Sequence, residues 1–178
     1  MRILIAYAST DGQTGKIARF AADCLSDLGP TVELLNVVDA EGLDLTRFAA
    51  VVLAASLHAG GVQKAMIDFA EARAGTLNAM PTLFLPVSLS AAGDDPEDWK
   101  GLRDCVSRFL AQTGWHPGRT EHVAGAFRFT EYDFFRAWAM RRIAAAKGEE
   151  VDPHADKEYT DWPTLARFLT EWQASLPR

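Results

Sequence analysis

The amino-acid sequence predicts a three-layer α/β fold in which helices cover both faces of a five-stranded parallel sheet. Short, nearly continuous apolar runs are typical of strands that are buried on both faces. Amphipathic helical patterns lie between these runs, and this alternation indicates a parallel sheet because parallel neighbours need crossover connections. With 178 residues, 48% of them hydrophobic, the chain can bury one sizeable core. We therefore expect a single domain over residues 1–178.

The predicted strands cover residues 2–7, 32–37, 50–55, 81–87 and 123–129. Apolar residues recur at three- and four-residue spacing over 17–28 and over 102–110, which predicts amphipathic helices there. Asp95 and Pro96 predict the start of the second of these helices, as its N-cap and first helical residue. Asp161 lies at the predicted start of a last helix. Helix ends are predicted at three glycines: Gly29, Gly114 and Gly148.

The composition argues against several classes of protein. A net charge of −6, from 18 basic and 24 acidic residues, argues against a nucleic-acid binder. No apolar run approaches the roughly 20 residues that a membrane-spanning helix needs, and the apolar start lacks the basic segment of a signal peptide, so we expect a cytoplasmic protein. Cys24 and Cys105 lie at apolar positions of helical patterns, which favours packing over a disulfide, metal or redox role.

The loop after the first strand predicts an anion site. Its hydroxyl groups and backbone N–H groups converge at the start of the first helix, where the helix dipole favours negative charge. It lacks the spaced glycines of a dinucleotide-binding loop and the Gly-Lys-Ser/Thr of a Walker A loop, and its short donors suit a terminal phosphate. An ordinary helix N-cap is the alternative. The candidate binding residues are Ser9, Thr10, Asp11, Gly12, Gln13 and Thr14.

This loop resembles the phosphate loop of flavodoxins, except that Asp11 here takes the place of the usual threonine. The resemblance implies a flavodoxin-like sandwich with strand order 2-1-3-4-5 and bound FMN. It also implies that two further loops flank the flavin ring, with these candidate residues: Ser56, Leu57, His58, Val87, Ser88, Leu89 and Ser90. Neither loop contains Trp, Tyr or Phe, which favours an enzyme with an open flavin face over an electron carrier. His58 is a candidate for contact with a substrate or a flavin carbonyl.

The segment after the fifth predicted strand combines basic and aromatic residues. Residues 128–147 contain five basic and two acidic residues, a net charge of +3 in an acidic chain. Helical spacing groups Phe134, Trp138, Arg141 and Arg142 on neighbouring turns. Such a stretch is typical of a membrane-surface helix or of a site for an anionic, apolar ligand. The alternative is that the aromatic residues pack on the core and the arginines are solvated.

Several spaced blocks resemble the quinone-dependent protoporphyrinogen IX dehydrogenases of bacteria, a family within the flavodoxin-like superfamily. The blocks are 11–14, 54–57, 124–129, 147–149 and 159–162. The resemblance implies an FMN enzyme of heme biosynthesis with an insertion at about residues 130–158. It implies electron transfer from protoporphyrinogen IX to menaquinone or ubiquinone. It also implies peripheral contact with the cytoplasmic face of the inner membrane through the insertion.

Within this resemblance, arginines of the insertion are expected to meet the porphyrin propionates, since guanidinium groups suit carboxylates, and aromatic residues are expected to cover the macrocycle. The arginines are Arg128, Arg136, Arg141 and Arg142, and the aromatic residues are Phe129, Tyr132, Phe134 and Trp138. No side chain is assigned as an essential acid or base, since the flavin carries the chemistry. Two alternatives stay open: an electron-transfer flavodoxin that docks protein partners, and an FMN-dependent NAD(P)H:quinone reductase. A homo-oligomer also stays open.

Overall fold

The computed structural model describes residues 1–9, 12–58, 61–127 and 157–177. Four helices of this part of the chain are α1 (Gln13–Asp27), α2 (Lys64–Leu77), α3 (Pro96–Thr113) and α4 (Trp162–Ala174). The strands are β1 (Arg2–Ala8), β2 (Thr31–Asn36), β3 (Ala50–His58), β4 (Gly61–Val62), β5 (Thr82–Ser88), β6 (Arg119–Thr120), β7 (Val123–Ala124), β8 (Ala126–Phe127) and β9 (Lys157–Glu158). Short 3-10 turns span Val37–Asp39, Leu45–Arg47 and Ser90–Ala92.

The main sheet is parallel along the order β2-β1-β3-β5-β6. β7 also pairs with β5, and the residue offset between Leu83 and Arg119 equals that between Val87 and Val123. β6 and β7 are therefore two pieces of one interrupted strand. With β5 as the fourth strand and this pair as the fifth, the predicted three-layer α/β sandwich and its strand order 2-1-3-4-5 are confirmed.

The fifth strand differs from its predicted range of 123–129. Pairing with β5 begins at Arg119 and ends where the Gly125 N–H donates to the Ser88 carbonyl over 2.9 Å. Because β5 itself ends at Ser88, no backbone of β5 is left for later residues. β8 instead pairs antiparallel with β9, in a separate two-stranded ladder.

Two hydrophobic clusters lie on opposite faces of the sheet because successive side chains of a strand alternate between faces. Ile3 and Ile5 belong to the cluster with α1 and α4, whereas Leu4 and Ala6 belong to the cluster with α2 and α3. The side chains of β5 are buried along its whole length. Such burial explains why the central strands are continuous apolar runs in the sequence.

The predicted helix ends and cysteine positions can be compared directly with the structure. Asp95 and Asp161 accept hydrogen bonds from the first turns of α3 and α4, which confirms the predicted N-cap of α3 and the predicted start of α4. Gly114 ends α3 at a φ of 68°, and Gly29 has a φ of 108° just beyond α1. Cys24 and Cys105 are on helices that cover opposite faces, so they cannot pair with each other. Burial raises the pKa of both thiols. Gly148 lies outside the described residues.

Candidate functional site

The carboxyl edge of the sheet brings three chain segments together. Ala8 at the end of β1 aligns with Ala55 of β3, and Ser56 of β3 aligns with Val87 of β5. In an open parallel sheet, ligands bind at this edge, next to the strand where the order reverses. β1 is such a strand, because β2 lies on one side of it and β3 on the other. The segment between β1 and α1 is therefore well placed for a ligand.

The start of α1 is not closed by a side-chain cap. Gly12 is the N-cap, with a left-handed φ of 85°, and among the described residues no side chain accepts from the backbone N–H groups of the first turn. The Ser9 hydroxyl instead accepts from the Gly12 N–H over 3.0 Å, before the helix begins. The first turn contains no acidic residue. Its open N–H groups therefore favour an anion over the self-capped helix. Thr10 and Asp11 lie outside the described residues.

A buried hydroxyl pair ties this first turn to β3. The Thr14 and Ser56 hydroxyl oxygens lie 2.6 Å apart, and the two residues are only 1% and 7% exposed. One hydroxyl donates to the other, so the second hydroxyl hydrogen remains for another acceptor. The two predicted binding residues are thus neighbours, although 42 positions separate them in the chain.

Residues 56–58 are strand residues, contrary to their predicted place in a loop. β4 folds back on the end of β3, pairing Leu57 with Val62 and His58 with Gly61. This antiparallel pairing extends β3 through His58 and leaves that residue half-buried at the carboxyl edge of the sheet.

A hydrogen bond from Trp99 holds the segment that follows β5. The Ser88 hydroxyl accepts from the Ala91 N–H over 3.2 Å, and the Trp99 indole N–H donates to the Gly93 carbonyl over 2.7 Å. Leu89 and Ser90 are half-buried, whereas the Val87 side chain packs in the core on the α1 side. Only the backbone of Val87 can therefore face a ligand. Sequence reasoning missed Trp99, since it precedes the apolar pattern of α3.

Gln13, the first residue of α1, is anchored by the segment that precedes α4. Its side-chain amide donates to a Glu158 carboxylate oxygen over 3.1 Å and to the Thr160 hydroxyl over 3.0 Å. Glu158 also accepts from Lys16 over 2.5 Å and from the Trp162 indole over 2.7 Å. These donors, Lys16 foremost, lower the pKa of the Glu158 carboxyl. No local signal in the sequence indicates contacts across 145 positions.

The predicted substrate residues cannot be placed against this site. All of them lie outside the described residues: Arg128, Phe129, Tyr132, Phe134, Arg136, Trp138, Arg141 and Arg142. β8 precedes the segment that contains them and β9 follows it, and these two strands pair with each other. Along the described ranges, no helix has the length and apolarity needed to cross a membrane.

This fold, with an open helix start at the carboxyl edge, defines a class of protein. Residues 4–154 match the flavodoxin domain family, and the chain is a flavodoxin-domain protein. The crystal structure of oxidised Flavodoxin 1 from Bacillus cereus superposes with a TM-score of 0.61 at 14% identity, covering 99% of this chain and all of that one. The flavodoxin-like fold implied by the phosphate loop is confirmed.

Two relatives narrow the class. The chain is 33% identical over 172 residues to a protein named protoporphyrinogen IX dehydrogenase [quinone] from Escherichia coli strain K12, covering 96% of this chain and 94% of the relative. A protein of the same name from Leishmania major is 29% identical over 177 residues, covering 99% of this chain and 76% of that protein. The chain belongs to the family of quinone-dependent protoporphyrinogen IX dehydrogenases.

Proposed function

We propose that this protein is an FMN-dependent oxidoreductase of heme biosynthesis that converts protoporphyrinogen IX to protoporphyrin IX, with a respiratory quinone as electron acceptor. The names of its relatives support the substrate and the acceptor. The observation that best supports FMN as the cofactor is the start of α1 at the carboxyl edge of the sheet, which no side chain of the described residues caps. A helix start with open N–H groups and no first-turn carboxylate favours an anion such as a phosphate.

The donors around this helix start fit a phosphate monoester. Such a group presents several acceptor oxygens to short donors, and the site offers backbone N–H groups and the spare hydrogen of the Thr14–Ser56 pair. The left-handed turn at Gly12 allows the backbone to approach the ligand closely. We assign the phosphate contacts to the following residues: Ser9, Thr10, Asp11, Gly12, Gln13 and Thr14.

The segments after β3 and β5 are proposed to hold the flavin ring. Their candidate residues are Ser56, Leu57, His58, Val87, Ser88, Leu89 and Ser90, with Val87 contributing only backbone. When FMN is bound, it supplies the redox chemistry, and the protein supplies position and electrostatics. His58 lies at the end of β3, where its imidazole would reach a substrate or a flavin carbonyl. Since none of these residues is Trp, Tyr or Phe, one face of the ring is left for a substrate.

Anaerobic mixing of the FMN-loaded protein with protoporphyrinogen IX tests the activity. We expect the flavin absorbance to bleach and then to recover on addition of menaquinone or ubiquinone. NADPH alone serves as the control donor. Flavin that stays oxidised with protoporphyrinogen contradicts the proposed enzyme and leaves an electron-transfer flavodoxin, whereas rapid bleaching by NADPH alone favours a nicotinamide-dependent quinone reductase.

We further propose that residues 128–147 bind the porphyrin propionates and contact the membrane peripherally. Their net charge of +3 and their aromatic residues support this role. Replacing Arg141 and Arg142 together by Ala is expected to weaken substrate affinity and binding to anionic vesicles. Unchanged affinity and unchanged vesicle binding favour a structural role for the segment.

A single domain is also proposed, and it is supported by α4, which shares a hydrophobic cluster with β1.

A further inference from the structure

Residues 157–161 connect the last strand of the sheet to the first turn of α1. The Tyr159 N–H donates to the Gly125 carbonyl over 3.0 Å, and the Thr160 hydroxyl donates to the Ala124 carbonyl over 2.7 Å. Thr160 has a single hydroxyl hydrogen, so this second bond leaves its lone pairs for another donor. That donor is the Gln13 amide, at 3.0 Å. Through these two hydrogen bonds, Thr160 links β7 to α1.

Two hydrogen bonds hold the Gln13 side chain in this arrangement. Its side-chain amide carries two hydrogens, and these meet the Thr160 hydroxyl and the Glu158 carboxylate. The residue is only 6% exposed. Because Gln13 is the first residue of α1, its backbone N–H is among the open donors of the helix. Holding its side chain therefore also holds the backbone that faces the proposed phosphate.

The negative charge of Glu158 is balanced by the neighbouring Lys16. Its carboxylate forms an ion pair with Lys16 and accepts the Trp162 indole N–H. Lys16 also lies 5.2 Å from the centre of the Trp162 ring, which packs on Phe20 at 4.7 Å between ring centres. A carboxylate close to a phosphate would repel it, but this pair adds no net charge. The segment is therefore suited to fixing geometry rather than to supplying charge.

We propose that Thr160 and Glu158 are positioning residues that act through Gln13 to fix the first turn of α1 for a phosphate monoester, and so make the site select FMN over riboflavin. This inference rests on the proposed function. It differs from a merely structural role in one respect. Loosening the link harms the recognition of the phosphate and leaves the contacts of the flavin ring unchanged.

The test is Thr160→Val, which removes the hydroxyl without changing charge or shape. We expect the dissociation constant of FMN to rise about tenfold, as for one lost hydrogen bond to a charged ligand group. That of riboflavin, which lacks the phosphate, should change by less than about twofold. Quenching of flavin fluorescence by the apoprotein measures both constants. Thr160→Ser should restore FMN affinity because it keeps the hydroxyl.

Thr170→Val is the matched control, since the Thr170 hydroxyl donates to the Ala166 carbonyl within α4. Both flavins should bind this variant as they bind the unmodified protein. Equal weakening of FMN and riboflavin by Thr160→Val, or no weakening of either, overturns the inference and leaves the proposed function intact. An unmodified protein that binds no FMN overturns both.

Hydrogen exchange in the unmodified protein gives a second measurement that does not depend on a variant. Coupling between two sites is reciprocal, so a phosphate that orders α1 must also stabilise residues 157–161. We expect FMN to slow exchange at the Tyr159 N–H about tenfold more than riboflavin does. Equal protection by the two flavins contradicts the inference.

Discussion

Removing the hydroxyl pair between Thr14 and Ser56 should destabilise the protein in a strongly non-additive way. Thr14→Val leaves the Ser56 hydroxyl without its partner at 2.6 Å, in a place where both residues are nearly inaccessible. A buried polar group that loses its partner costs about 1–3 kcal/mol. Ser56→Ala should cost a similar amount for the same reason. Replacing both hydroxyls by apolar groups removes the unsatisfied group, so the double variant should cost less than the sum of the two.

Urea unfolding of the apoprotein gives the four free energies of this cycle. We expect an interaction energy of about 1 kcal/mol, within the range measured for residues in contact. FMN affinity should fall in both single variants, since the hydroxyl that remains is no longer oriented by its partner. Additivity to within about 0.3 kcal/mol would refute the reasoning, because it would mean that the two hydroxyls do not interact.

Two further perturbations test the start of α1. Gly12→Ala places a side chain at a φ of 85°, which costs about 1–2 kcal/mol of stability. Urea unfolding should show this loss, and FMN titration should show weaker binding. Unchanged stability and affinity would contradict the left-handed turn. Acid should loosen residues 157–161. The pKa of Glu158 is held below its ordinary 4.5, mainly by Lys16, so its stabilising contribution is present above the ordinary pKa and is lost as pH falls through the lowered one. In thermal unfolding measured against pH, Glu158→Gln should reduce the loss of stability at acidic pH. An unchanged loss would assign it to other carboxylates.

Local signals in the sequence were enough to predict the elements that the fold depends on most. β1, β3 and β5 are buried on both faces, so their side chains had to be apolar, and continuous apolar runs were visible. Asp95 and Asp161 were visible as caps because a cap is a contact between residues two or three positions apart. The phosphate-loop position followed from one strand end and one helix start.

The missed features depend on tertiary contacts. β6 consists of Arg119 and Thr120, polar residues on an edge strand, and only their register with Leu83 and Phe84 makes them a strand. The extension of β3 through His58 depends on a two-residue partner, β4. The Gln13–Glu158 contact arises because α1 and α4 pack in the same hydrophobic cluster, which brings the segment before α4 to the start of α1. No spacing rule in the sequence spans 145 positions.

The phosphate site can be understood from how charge is distributed around it. The chain carries a net charge of −6, so its long-range field does not attract an anion. Lys16, in the first turn of α1, is paired with Glu158. Among the described residues, the attraction is left to short-range dipoles, those of the helix N–H groups and hydroxyls, which act at hydrogen-bonding distance. In such a site affinity depends on donor geometry, and for this reason we propose that the contacts that hold Gln13 bear on cofactor binding.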